Sequence, residues 1–184
     1  MASGAGADAD VAAVLFEAAA AVLLEDGIGR FDLDRVDQRA GLPAGTSRDR
    51  YRTRGGLVAA MLESFATASQ TALEAVMRRH PDDIVAAIVD WIDLQLGTGR
   101  DEIRVMLAVM GDAGMRREIA LYADALQVGW DRTTAARVHL DDDYLRTAWL
   151  MVEGLIVLIT IRDGPVPDRE KLTAQFRALL QISQ

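Results

Sequence analysis

Apolar residues first recur at helical spacing after Asp10, where Val11, Val14, Leu15, Ala18 and Val22 form one stripe that runs to about Asp26 and stops at Gly27 and Gly29. The preceding residues, MASGAGADAD, are small and acidic; segment 1–9 is expected to be disordered, with Asp10 capping the helix. A short second helix follows, with Asp32 as N-cap, Leu33, Val36 and Ala40 on its buried face, and Gly41 as its stop. Leu42-Pro43-Ala44-Gly45 makes a tight turn into a third helix from about Ala44 to Tyr51, where Pro43 near the start costs no hydrogen bond. After Gly55-Gly56 the pattern lengthens. Leu57 to Arg79, Asp82 to Leu96, Glu102 to Met110, Met115 to about Val138, Asp142 to Arg162 and Asp168 to Ile182 read as helices separated by Pro, Gly and Asp clusters. No strand-like alternation persists and no fixed period repeats. The pattern predicts an all-α protein of about nine helices: a three-helix module over 10–55 and a larger helical domain over 56–184.

Two short helices joined by a Gly-containing turn, with a longer helix in front, form a helix-turn-helix arrangement. Spacing alone also admits an ordinary helical hairpin. The charge pattern adds to the picture. The chain carries a net −8, a poor match to nucleic acid, yet from Gly27 to Val58 there are seven Arg against four Asp, so that stretch carries +3 and the remainder −11. Four Arg (48, 50, 52 and 54) fall within seven residues, a concentration that a merely solvated face does not require. Arg30, Arg35 and Arg39 have a second reading, as partners of Asp32, Asp34 or Asp37 on the surface.

The absence of Cys excludes disulfides, thiolate metal sites and thiol catalysis, and suits a cytoplasmic protein. The N-terminus lacks the positive region of a signal peptide. The longest other apolar stretch, Ala148 to Ile161, is 14 residues and contains Glu153, whereas a bilayer span needs roughly 20 apolar residues; no membrane partner is expected. Two isolated His, no Gly-x-Ser-x-Gly and no phosphate loop argue against an enzyme. His80 and His139 read as loop or capping residues, so no metal site and no cofactor are expected. The run Asp141-Asp142-Asp143 reads as a cap for the following helix.

The segment Ala18 to Met61 resembles the DNA-binding module of TetR-family regulators. Glu25-Asp26-Gly27, Val36, Arg39-Ala40-Gly41-Leu42, Gly45-Thr46, Tyr51, Arg54 and Leu57 stand at the positions that pattern requires. The chain departs from the pattern at Pro43, where Ser is usual, at Arg48-Asp49-Arg50, where an aromatic pair precedes His, and at Gly55, where an acid is usual. The resemblance implies a transcriptional regulator whose third helix enters the major groove. It implies positioning or backbone-contact roles for Thr46 and Tyr51 and a phosphate clamp in Arg54. Helix geometry directs Ser47 and Arg48 toward base edges, with Arg50 as a further contact to DNA. Asp49 either accepts from a cytosine amino group or holds a neighbouring Arg. Tyr51 has an equal reading as a core residue that holds the third helix against the first.

In the larger domain, the helix from Asp142 to Arg162 has almost no polar face and must be covered on both sides. Pairing it and the last helix with symmetry mates makes a homodimer, for which Trp149, Val152, Leu155, Ile159, Phe176 and Leu180 are the interface candidates. A two-fold pair of heads requires a palindromic operator in double-stranded DNA. Trp91, Met106, Met110, Tyr122 and Trp130 are candidates to line a pocket for a small apolar or amphipathic effector, which the resemblance implies; packing in the core is the other reading. Gly55-Gly56 reads as a hinge between the domains. The expected action is a repressor released from its operator by effector binding. The alternative is a helical ligand- or partner-binding protein whose head is degenerate.

Overall fold

The computed structural model describes residues 3–134 and 142–180, with side chains over 10–133 and 147–180. Among these residues there are nine α-helices and no strand. They are α1 (Ser3–Asp26), α2 (Leu33–Ala40), α3 (Thr46–Tyr51), α4 (Arg54–Arg79), α5 (Ile84–Leu96), α6 (Arg100–Met110), α7 (Arg116–Thr134), α8 (Asp142–Ile161) and α9 (Arg169–Leu179). Short 3-10 turns at Ile28–Arg30 and Ala113–Met115 lead into α2 and α7. His139, the side chains of Asp141-Asp142-Asp143, the helix end expected near Val138 and Ile182 lie outside what is described.

The first helix starts at Ser3, so Asp10 lies inside it and does not cap it, and residues 3–9 extend the helix instead of forming a disordered lead. The physical reason is that extending an existing helix through an Ala-containing stretch costs little once the helix has been nucleated. Other boundaries follow their caps. Asp32 accepts from the Arg35 N–H at 2.8 Å, Asp83 from Ala86 at 3.0 Å and Asp168 from Lys171 at 2.9 Å, which starts α2, α5 and α9 one residue later in each case.

The chain divides into two compact units, one of residues 1–66 with 104–123 and the other of 67–103 with 124–184. The first unit buries Leu15, Ala18, Ala19, Val22 and Leu23 of α1, Phe31, Leu33 and Val36, and Leu57, Val58, Met61 and Leu62 of α4. Val14, expected on the buried stripe of α1, is exposed.

In the second unit α5 packs against α8 and α9. Its buried face presents Ile88, Val89, Trp91 and Ile92, while α8 contributes Ala148, Trp149, Val152 and Ile156 and α9 contributes Leu172 and Phe176. Polar ties hold the edges. Arg177 donates to Asp83 at 3.1 Å, and Arg169 donates to both Asp93, at 2.7 Å, and Asp90. Asp90 also lies 2.6 Å from His80 Nε2. Burial pushes the Asp90 carboxyl up, but its hydrogen bonds with His80 and Arg169 outweigh that and hold it below its ordinary value. No helix among the described residues is long and apolar enough to cross a membrane.

Candidate functional site

Helix α3 is six residues long, too short to persist without tertiary support. Its N-cap residue is Gly45, which has no side chain to accept from the first-turn N–H groups. That role falls to Asp37, one helix earlier. Its carboxylate is 1% exposed and accepts from the Gly45 N–H at 2.7 Å and the Ser47 N–H at 2.9 Å. The chain can fold back this sharply because Gly41 and Gly45 take positive φ, 66° and 93°. At the other end Arg52 leaves the helix at φ 65°. Gly56 then comes so near the Tyr51 carbonyl that a Cβ would stand 2.3 Å from its oxygen. Gly56 is therefore required for close approach, a different role from the hinge that the sequence suggested.

The structure sorts the six DNA-contact candidates. Arg48 and Arg50 are exposed on α3. Arg48 donates to Asp34 at 3.3 Å, and both side chains are largely open to solvent. Such a pair is worth roughly 0–1 kcal/mol and yields easily to a stronger partner. The Arg50 guanidinium lies 5.9 Å from the Tyr51 ring centroid. Tyr51 is half-buried and its ring meets Phe16 of α1 at 5.9 Å between centroids, which favours the reading that it holds α3 against α1. Thr46 Oγ1 donates to the Pro43 carbonyl at 2.7 Å and so closes the turn.

Ser47 departs from its expected role. It is 0% exposed, and its Oγ is buried without a hydrogen-bond partner among the described residues, so in this fold it cannot reach a base edge. The cause is that the Asp37 bond to its own N–H turns that side of α3 inward. Arg54 begins α4, where it donates to Asp112 at 3.2 Å; both belong to the first unit. Beside it, the space that a Cβ on Gly55 would take lies 3.8 Å from Glu118 Oε1, so an acid at position 55 would face another carboxylate.

Sequence reasoning missed Asp37 and Asp112. The signal for Asp37 was present: it lies four residues after Leu33 and three before Ala40, on the apolar face of α2, where an acid requires donors. Asp112 is joined to Arg54 only across 58 residues of chain, and no local pattern marks it. Arg35 and Arg39 do pair on the surface, but with acids of α1, Asp26 and Glu25, the latter through two bonds of 2.6 and 2.7 Å.

The five effector-pocket candidates are divided between the two units. Met106, Met110 and Tyr122 belong to the first unit and Trp91 and Trp130 to the second. Trp91, Tyr122 and Trp130 are buried, Met106 is half-buried and Met110 is exposed. Trp130 stacks on Trp149 with centroids 4.4 Å apart. Of the six interface candidates, Trp149, Val152, Phe176 and Leu180 are buried within the chain itself, and Leu155 and Ile159 are half-buried. The apolar side of α8 that stays open is Leu150, Met151, Leu158 and Ile161, the last two 51% and 63% exposed. An all-apolar helix does not reveal from sequence which side its own chain covers.

No family model and no curated protein matches the sequence. Solved structures match the fold. A member of the TetR family (SCO1917) from Streptomyces coelicolor A3 superposes with a TM-score of 0.71 at 20% identity, over 90% of this chain and 95% of that one. The multidrug binding protein EbrR, complexed with malachite green, gives 0.70 at 22% identity over 91% and 96%. The reduced form of E. coli NemR gives 0.70 at 14% over 92% and 97%. The chain therefore has the all-helical TetR-type fold over about nine-tenths of its length.

Proposed function

We propose that this chain is a DNA-binding transcriptional regulator that works as a homodimer, with α3 reading the major groove and a small-molecule effector controlling affinity. The observation that carries the reading is the mounting of α3: a short helix fixed through its backbone by Asp37, with Arg48 and Arg50 turned outward. A helix held in this way presents side chains to a groove at a defined angle. Arg48 serves as the base reader and Arg54 as the phosphate clamp, with the acids Asp34 and Asp112 as the partners each gives up on binding.

The open apolar side of α8, with Leu179 of α9, supplies a surface for the second subunit. Two heads related by a two-fold axis need a palindromic site with half-sites about 34 Å, or a multiple of it, apart. The similarly folded EbrR is a multidrug binding protein with ethidium, malachite green and proflavin complexes, which supports a small amphipathic effector here. Its binding shifts the population of head arrangements and releases the operator, so the action is repression.

Electrophoretic retardation of DNA upstream of the protein's own gene, repeated across salt concentrations, tests the reading. The binding constant should fall steeply with salt, with a slope of about −0.9 per phosphate neutralised. Failure to retard any upstream fragment at low salt would favour a second reading, in which the head is degenerate and the protein binds only ligands or partners. The internal pairing of Arg48 and Arg54 with acids is what keeps that reading in view.

A further inference from the structure

Between α3 and α4 the chain reverses through a turn of three residues. The Thr53 N–H donates to the Tyr51 carbonyl at 2.7 Å across Arg52, whose φ and ψ are 65° and −42°. A hydrogen bond between residues two apart, about a central residue with positive φ and negative ψ, defines the γ-turn in its rare and strained form. Gly56 packs against the same Tyr51 oxygen, so the turn is held from both sides. Elsewhere in the head the chain meets positive φ with glycine: Gly27, Gly41 and Gly45 stand at 75°, 66° and 93°. Among the described residues of the first unit, Arg52 is the one non-glycine at positive φ.

Nothing within the chain offsets that strain. Arg52 is exposed, and among the described residues its guanidinium has no hydrogen bond, ion pair or ring contact. Its neighbours differ: Arg48 donates to Asp34, Arg54 to Asp112, and Arg50 lies beside the Tyr51 ring. An arginine kept where glycine fits better, with no partner in its own fold, is kept for a partner outside it. Five N–H donors and a permanent charge select an anion with several acceptor oxygens. The place of Arg52 narrows that anion to a DNA phosphate. A recognition helix aims its N-terminal residues at base edges, and the six residues of α3 span about 9 Å, close to the major-groove depth of about 8.5 Å. The far end of such a helix stands at the rim of the groove, where the phosphates lie.

We infer that Arg52 is a phosphate anchor, displayed by a strained γ-turn and binding the DNA backbone irrespective of sequence. This rests on the proposed DNA-binding function and adds to it a contact residue that the helix-turn-helix spacing does not identify. Arg48 and Arg54 must each leave an acid before they reach DNA, whereas Arg52 gives up no internal partner. It is therefore the arginine that engages first, before the register of α3 on the bases is set.

Wild type, Arg52→Gly and Arg52→Lys, compared by fluorescence anisotropy on an upstream fragment and on a random duplex of equal length across salt concentrations, provide the test. Arg52→Gly should weaken both duplexes alike, by about tenfold at low salt, the loss of one charge-assisted contact. Its slope of log binding constant against log salt should be shallower by about 0.9. Its Tm should hold or rise by up to about 4 °C, because glycine takes φ 65° without strain. Arg52→Lys, which keeps a charge in the same turn, should keep the wild-type slope and bind both duplexes within about threefold. A loss confined to the upstream fragment would make Arg52 a base reader, and unchanged affinity and slope in Arg52→Gly would make it a solvated surface residue. Either result overturns the inference and leaves the regulator reading standing. A lower Tm for Arg52→Gly would show that the arginine serves the fold, and also overturns it. If wild type bound neither duplex at low salt, the regulator reading would fall and the anchor with it.

Discussion

Replacing Asp37 with Ala removes the acceptor that two backbone N–H groups share, from Gly45 at 2.7 Å and Ser47 at 2.9 Å. Hydrogen bonds to a charged group contribute about 1.5–3 kcal/mol each, but the two share one carboxylate and are not additive. A lost N-cap costs about 0.5–2 kcal/mol, and here the donors are left facing a cavity at a site that is 1% exposed. Together these place the loss at about 3 kcal/mol. For a chain of this length that is a fall in Tm of roughly 6–12 °C. Asp37→Asn should lose less, because its amide oxygen can accept one N–H while its NH2 group meets the other donor head-on. Thermal unfolding by circular dichroism gives the global number. Hydrogen exchange at the Gly45 and Ser47 amides reports the local one, and both should lose protection before the core of the second unit does. DNA retardation should weaken with the loss of α3 order. A loss below 1 kcal/mol with intact retardation would refute the argument that α3 depends on this carboxylate.

Four further outcomes are expected. Arg48→Ala should relax sequence preference, whereas Arg54→Ala should weaken binding to all duplexes alike and reduce the salt slope by about 1; the reverse pattern in a competition assay would overturn that division. Asp112→Asn frees Arg54 from a partly exposed pair worth up to about 1 kcal/mol, so DNA affinity measured by fluorescence anisotropy should rise by up to about fivefold, and an unchanged value would mean the pair does not compete with phosphate. Glu153 has a folded pKa of about 7, above its ordinary 4.5. Its neutral form therefore stabilises the fold fully below about pH 4.5, and that contribution is lost as pH rises through 7, by about 1–2 kcal/mol after allowing for partial exposure. Glu153→Gln should then raise Tm relative to wild type at pH 8 but not at pH 4.5, and an equal change at both would exclude ionisation as the cause. Leu158→Glu on the open side of α8 should shift the sedimentation coefficient from dimer to monomer with secondary structure intact; an unchanged dimer would place the subunit interface elsewhere.

The helix pattern was legible because it is local. Asp32 and Gly41 frame α2 as N-cap and left-handed stop, and neither role needs a distant partner. Leu33 and Val36 were also found on their buried face. What escaped depends on tertiary direction. Ser47 sits at a position where side chains commonly face the groove, yet a bond from α2 rotates it inward. Trp149 and Leu158 are both large apolar residues on one helix, and only the packing of α5 and of Trp130 against α8 distinguishes the covered side from the open one. The effector candidates were chosen for size, a property that core and cavity residues share.

Because Asp37 grips α3 by main-chain N–H groups, its hold does not depend on which side chains α3 carries. The outward residues Arg48, Asp49 and Arg50 can be exchanged in descent without loosening the mount, while Asp37, Gly45 and Gly56 cannot. Under the proposed role of α3, lineages sharing this framework are free to acquire new operators by small steps, each one a folded protein, with address and architecture evolving at different speeds.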